Sequence, residues 1–286
     1  MTAVAQSGGT LRAEDWAGAR GTQWLAHLDR FERMLAPAGA ALLAQAVFRP
    51  GETVVDIGCG GGGTSLAIAR SVGPEGSVLG LDISQDLVAA AGKRAVQANL
   101  ANICFEAGDA AKTIPADAPF DRLFSRFGCM FFGEPYEAYA NLHRMLRPGA
   151  RIDLGVWAPA KENDWMMAIA GVVGRHVALP EPVPRAPGPC ALDDPDYIRD
   201  LLGRSGFGDI TITAWTGELL IGGAGTSPEE AVWFALDGFS VCEPLHQGDP
   251  ATRDRAMSDL HDLFEERLTN QGIAMAAKTW MVTANA

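Results

Sequence analysis

Short apolar runs recur through the first half of this chain, and each closes on a glycine or an acid before a stretch with helical spacing begins. Val54-Val55-Asp56-Ile57 runs into Gly58, Gly60, Gly61, Gly62 and Gly63. Ser77-Val78-Leu79-Gly80-Leu81 closes on Asp82, and Ile103-Cys104-Phe105-Glu106-Ala107 leads to Gly108-Asp109-Ala110. Phe120 to Phe127 and Arg151 to Trp157 read as a fourth and a fifth strand. Between them, Ser84 is placed to cap a helix carrying Leu87, Val88 and Ala91, with Asp86 in its first turn. Strands alternating with helices predict an α/β fold around a doubly wound, mostly parallel sheet.

The flanks follow a different rhythm. Residues 11–48 read as helices anchored by Trp16, Trp24, Leu28, Phe31 and Leu35. After Trp157 comes an apolar helix, Trp165-Met166-Met167-Ala168-Ile169-Ala170, then a stretch from Pro180 to Pro189 so dense in proline that no helix can continue through it. Asp196 to Leu202 is helical and stops at Gly206. Asp209 to Trp215 alternates as a strand, and Ala274 to Thr283 ends the chain as another. Residues 223–272 form a helical insertion between those two strands. The expected organisation is one domain over 1–286: a helical segment at 11–48, a core at 49–157, and two additions at 158–192 and 223–272.

Composition narrows the class. With 286 residues and 48% hydrophobic content, the chain can bury one large core. No apolar run reaches the roughly 18–20 residues of a membrane span. Met1 to Gln6 lacks the basic start and apolar stretch of a secretory leader, so the expectation is a cytoplasmic protein. The net charge of −12, from 23 basic and 35 acidic residues, opposes binding to a phosphate backbone. Five cysteines, Cys59, Cys104, Cys129, Cys190 and Cys242, form neither a C-x-x-C pair nor an even set, which predicts reduced thiols and no metal site.

The glycine turn carries the first chemistry. Gly58, Gly60 and Gly63 match G-x-G-x-x-G, so a dinucleotide site enters consideration. There, however, the following helix receives a pyrophosphate, and Asp56 two residues before the first glycine would repel it. S-adenosylmethionine has no phosphate. Its cationic part suits Asp56, its carboxylate suits the helix N-terminus, and the glycines let the backbone pass close to it. Asp82, about 20 residues beyond the turn, is placed to take both ribose hydroxyls. Ile83 can lie against the adenine, Asp109 can accept from its amino group, and the Ala110 backbone can read a ring nitrogen.

These residues resemble the class I S-adenosylmethionine-dependent methyltransferases, and more narrowly the small-molecule branch known as methyltransferase type 11 or UbiE-like. Val54 to Gly60 resembles that family's first motif, Leu81 to Ser84 its ribose-binding loop and Gly108 to Ala110 its adenine loop. Phe120 to Phe127 resembles its fourth strand and the loop beyond, which brings Ser125 to the cofactor. Leu142 to Ala150 is similar to its helix and turn before the fifth strand, although relatives often carry glycine where Ala150 stands. The resemblance runs from about Arg49 to Trp157 and fades beyond. It implies a Rossmann-like, seven-stranded, mostly parallel sheet with an antiparallel last strand and helical lid insertions. It also implies an amino-terminal helical segment that closes over the cofactor, with Trp24 in reach of it.

The expected activity is therefore transfer of a methyl group from S-adenosylmethionine to a small-molecule acceptor by in-line displacement. The alternatives are a non-catalytic S-adenosylmethionine binder and a dinucleotide-dependent oxidoreductase. Both additions should leave the carboxyl ends of strands, where ligands of open sheets bind. Their aromatic content, with Trp157, Trp165 and Trp233, predicts an acceptor pocket that is mostly apolar. Arg126 can meet an acceptor carboxylate or a carboxylate of the fold. Ser125-Arg126-Phe127-Gly128 stands where amino-methyltransferases of DNA bases or glutamine carry Asn-Pro-Pro-Tyr, which lowers those substrates. Among five histidines, His246 in the second addition is the candidate base.

Overall fold

The computed structural model describes residues 13–286, so the stretch read for a leader lies outside the described residues. Three helices come first: α1 (Ala13–Trp16), α2 (Ala19–Ala26) and α3 (Leu28–Ala46). The core follows as β1 (Thr53–Ile57), α4 (Gly63–Val72), β2 (Ser77–Asp82), α5 (Gln85–Gln97), β3 (Ile103–Ala107), β4 (Phe120–Arg126), α6 (Pro135–Arg144) and β5 (Leu146–Trp157). Then come α7 (Asp164–Val173), α8 (Pro195–Arg204), β6 (Gly208–Leu220), α9 (Pro228–Gly238), α10 (Glu243–Gln247), α11 (Pro250–Glu266), β7 (Leu268–Thr269) and β8 (Gly272–Asn285).

The sheet order is β3-β2-β1-β4-β5-β8-β6. β1 to β5 are mutually parallel, and β8 runs antiparallel between β5 and β6. This is the seven-stranded path that was expected, with one addition: the two-residue β7 pairs with the start of β8. Because β6 and β5 both oppose β8, they point the same way. The segments leaving Trp157 and Leu220 therefore emerge at the same edge as the loops after β1, β2, β3 and β4. The added helices also meet each other there, α11 packing on both α7 and α9.

Alternation along the strands divides the core. Val54, Val78 and Phe124 face Leu42, Ile68 and Val72 on one side of the sheet. Val55, Leu79 and Leu123 face the other side, in a larger cluster that continues into the added helices. A buried charge network fixes the carboxyl end of α3 to the sheet. Arg122 Nη2 donates to the Ala46 carbonyl and to Asp153 Oδ2, each at 2.6 Å, while Nη1 meets Glu52. Among the described residues no helix is long and apolar enough to cross a membrane.

Candidate functional site

The turn after β1 passes through the left-handed region three times, at Gly58 (φ 66°), Gly60 (φ 54°) and Gly62 (φ 79°), conformations that a side chain would strain. Gly58 has a second reason to be glycine. A Cβ on it would stand 2.6 Å from the Gly128 Cα, so two backbones touch there. Gly128 drew no role from the sequence, because a close approach between distant segments leaves no local signature.

Asp56 lies at the carboxyl end of β1, fully buried. Its Oδ2 accepts from the Thr64 hydroxyl at 2.8 Å and the Ser65 hydroxyl at 2.6 Å, both in the first turn of α4. Its Oδ1 is buried with no hydrogen-bond partner among the described residues. Burial pushes the carboxyl up to about 6, with the two hydroxyls and Arg126 pulling the other way. Asp56 is thus a buried carboxyl behind the turn, with Oδ2 held by α4 and Oδ1 left without a donor among the described residues.

Asp82 stands in front of the turn at the end of β2. Its Oδ2 accepts from the Gly60 N–H at 2.8 Å and its Oδ1 from the Ser84 N–H at 2.9 Å. Burial raises its pKa against the pull of those backbone donors. Each oxygen keeps one further lone pair for a hydroxyl. Ile83 follows, half-buried. Asp109 forms a turn: Oδ1 accepts from the Ala111 N–H at 2.9 Å, and Oδ2 pairs with Lys112. Ala110 is buried beside it, and its carbonyl accepts from Asn141.

The end of β4 departs from expectation at Ser125 and takes one of the two alternatives open at Arg126. The Ser125 hydroxyl donates to the Ile57 carbonyl at 2.7 Å, so it fastens β4 to β1 and is not offered to a ligand. Arg126 donates to Glu32 of α3 at 2.6 Å, which takes the fold's own carboxylate over an acceptor's. Gly39 makes room for that side chain, since a Cβ there would lie 3.0 Å from its Cδ. Glu32 itself reaches the first turn of α4, within 2.6 Å of a Cβ placed on Gly63.

The amino-terminal helices lie across the turn. Trp24 stacks on Phe31 with ring centroids 3.7 Å apart, and its Nε1 is 3.9 Å from where a Gly60 Cβ would stand. Leu28 packs on Gly61. Arg94 pairs with Asp29 and donates to the Gly61 carbonyl. Ion pairs join the same helices to the insertion: Arg20 with Glu243, Arg30 with Glu230, and His27 with Asp237 at 3.5 Å.

From Trp24 an aromatic chain runs along the carboxyl edge of the sheet. Phe31 meets Phe234, Phe234 meets Phe239, and Phe239 meets Trp165. Trp165 then meets Trp157, which stacks on Phe127 at 4.2 Å. Phe127 holds a φ of 62°, a strained backbone for an aromatic residue and one found where a site fixes a loop.

One expected acceptor residue, Trp233, and the candidate base, His246, are corrected. Trp233 is 46% exposed on the outer face of α9, with the Arg253 guanidinium over its ring. Its neighbour Phe234, 100° further round the helix, is the buried residue that enters the chain. His246 is exposed, and its Nε2 bonds the Leu236 carbonyl at 3.0 Å. That nitrogen must carry the proton to do so, so it ties α10 to α9 and cannot accept a proton there. His27 sits between α2 and α3 with its ring edge on Phe234.

The electrostatics select among cofactors. Asp56, Asp82 and Glu32 bracket the turn, and the guanidiniums of Arg94 and Arg126 are each matched by a carboxylate. A pyrophosphate would meet uncompensated negative charge, whereas a nucleoside bearing a sulfonium and an ammonium fits. The unmet Asp56 Oδ1, the spare lone pairs of Asp82 and the open Cβ position of Gly60 agree with that fit.

Fold and site together define a doubly wound α/β domain with two buried carboxylates at the glycine turn. Residues 48–165 match the protein family described as Methyltransferase domain. Nocamycin O-methyltransferase of Saccharothrix syringae is 26% identical over 213 residues, covering 69% of this chain and 76% of that protein. The 2-phytyl-1,4-naphtoquinone methyltransferase of Synechococcus elongatus is 36% identical over 104 residues, 36% of this chain and 45% of that protein. Several other curated relatives are likewise matched over less than half of their own length. The YcgJ protein of Bacillus subtilis shares the fold, with a TM-score of 0.56 at 18% identity over 87% of this chain and 97% of that one. Residues 48–165, which hold the glycine turn, Asp56, Asp82 and Asp109, are thus similar to a methyltransferase domain, and the fold is that of the YcgJ protein.

Proposed function

We propose that this protein transfers a methyl group from S-adenosylmethionine to a small, largely apolar acceptor. The observation that carries the reading is the pair of buried carboxylates around the glycine turn, Asp56 behind it and Asp82 in front, with an aromatic wall beginning one loop away at Phe127. Asp82 takes the ribose hydroxyls. Asp56 supplies the negative charge that favours a cation at the turn. Asp109 and Ala110 stand at the adenine, and Trp24 and Leu28 close over the turn from α2 and α3.

When bound, the cofactor supplies an electrophilic methyl carbon on a sulfonium. The chain's own work is to align an acceptor atom with it, which needs reacting atoms about 3–3.5 Å apart, and to exclude water. Residues 158–192 and 223–272 serve that purpose through Trp165, Phe234 and Phe239. The names of two relatives, an O-methyltransferase and a naphthoquinone methyltransferase, support an oxygen atom or a quinone as the acceptor.

Calorimetric titration with S-adenosylhomocysteine, S-adenosylmethionine, NAD and NADP tests the reading. Saturable binding of the two adenosyl sulfur compounds, with none of the dinucleotides, is expected. Binding of a dinucleotide and neither sulfur compound would refute it.

A further inference from the structure

Four buried side-chain polar atoms lack a hydrogen-bond partner among the described residues: Trp16 Nε1, Asp56 Oδ1, Arg122 Nε and Trp165 Nε1. Asp56 and Arg122 each satisfy other atoms of the same group. An indole has a single polar atom, so in the two tryptophans the whole hydrogen-bonding capacity is unmet. A buried donor left so costs about 1–3 kcal/mol. Packing does not require it, because a phenyl ring in the same place would fill most of the volume with no such penalty.

Trp165 opens α7, directly beyond the carboxyl end of β5. Its ring is held between Trp157 (centroids 5.2 Å apart, planes at 58°) and Phe239 (5.4 Å, 56°). Two rings thus flank the indole, and neither uses its N–H. Trp16 stands at the far end of the aromatic chain, against Trp24 and Phe131 on the cofactor side. Trp165 is the unmet donor on the acceptor side.

We propose that Trp165 is a specificity-determining residue whose indole N–H donates to a carbonyl oxygen of the acceptor, a flat and largely apolar molecule lying against Trp157 and Phe239. The inference rests on the methyltransferase reading above. A donor-only group needs an acceptor atom in its partner. The wall around it is aromatic, so a carboxylate would lose its hydration there without a counter-charge, whereas a carbonyl oxygen needs one donor and little else. Aromatic walls bind planar molecules through stacked and edge contacts, which sets the shape.

The test uses two flat, hydroxylated bicyclic probes of matched size. Umbelliferone carries a lactone carbonyl and 2-naphthol does not. Each is titrated calorimetrically into protein saturated with S-adenosylhomocysteine, using wild type and Trp165→Phe. Wild type should prefer umbelliferone by at least about tenfold. Trp165→Phe should bind the two alike, through a loss confined to umbelliferone. In wild type labelled with 15N-tryptophan, the indole resonance assigned to Trp165 by its contacts with Trp157 and Phe239 should move with umbelliferone and stay with 2-naphthol. That readout holds even where the variant folds poorly. Equal affinities in wild type, a preference that survives in Trp165→Phe, or an unmoved resonance would each overturn the proposal, as would binding of neither probe to a protein that does bind S-adenosylhomocysteine. Failure to bind S-adenosylhomocysteine is a different result: it overturns the methyltransferase reading itself.

Discussion

Replacing Asp56 with asparagine should make this protein more stable at pH 8 and a weaker binder of its cofactor. In the folded state burial lifts the Asp56 carboxyl from 3.8 to about 6. The folded protein therefore holds that proton more tightly than the unfolded chain does, and ionisation above pH 6 works against the fold. A shift of roughly 2 units corresponds to about 3 kcal/mol at full ionisation, since each unit is 1.36 kcal/mol. The sign follows: wild type gains stability as pH falls from above 6 towards 4, and loses it on the way back. Asparagine is neutral throughout and keeps one carbonyl oxygen for the Thr64 and Ser65 hydroxyls. Asp56→Asn should thus exceed wild type by about 1–3 kcal/mol at pH 8 and match it near pH 4. Urea denaturation followed by circular dichroism across that range measures the difference. A variant destabilised by the same amount at every pH would refute the reasoning, because the carboxylate would then be an ordinary hydrogen-bonded anion. The functional half has the opposite sign. The unmet Oδ1 and its charge serve a cationic ligand, so the stabilised variant should bind S-adenosylmethionine less tightly, a trade seen where a site stores unfavourable charge.

Other expectations concern single side chains. Asp82→Ala should weaken S-adenosylhomocysteine binding at least about tenfold by calorimetry in a protein whose circular dichroism is unchanged, because two charge-assisted hydrogen bonds to a ribose would go. Arg122→Ala should destabilise by about 1–3 kcal/mol in urea titrations, since the buried Asp153 Oδ2 and the Ala46 carbonyl would lose their donor while Arg151 still holds Asp153 Oδ1. Trp233→Ala should leave stability and cofactor affinity within about 0.5 kcal/mol of wild type, as expected of an exposed position. Phe234→Ala, one residue on, should cost about 3–5 kcal/mol of stability.

The cofactor half of the fold was legible because each signal there is local. A strand, a glycine turn and a helix N-terminus lie within 20 residues of one another, and Asp82 follows at a spacing the doubly wound sheet imposes. The acceptor half depends on contacts between segments far apart. Trp233 and Phe234 are adjacent aromatic residues in one apolar stretch, and only the rotation of α9 against the sheet decides which of them is buried. His246 looked available because nothing near it in sequence foretells the Leu236 carbonyl that takes its N–H. Arg126 was read with two alternatives, a substrate carboxylate and one of the fold; Glu32, which settles the matter, lies 94 positions away. Ser125 was carried to the cofactor by resemblance, while its hydroxyl goes to Ile57, 68 positions away. The edge at which the added segments emerge was legible because strand direction follows from topology, a property of the whole sheet and not of any one contact.

A crystal structure with S-adenosylhomocysteine bound tests the central claim most directly. The account predicts the ribose hydroxyls on the Asp82 carboxylate, the adenine beside Asp109 and Ala110, and the sulfur facing the wall formed by Phe127, Trp157 and Trp165. A nucleoside held elsewhere, or a sulfur turned away from that wall with Asp82 still bonded only to Gly60 and Ser84, would contradict it.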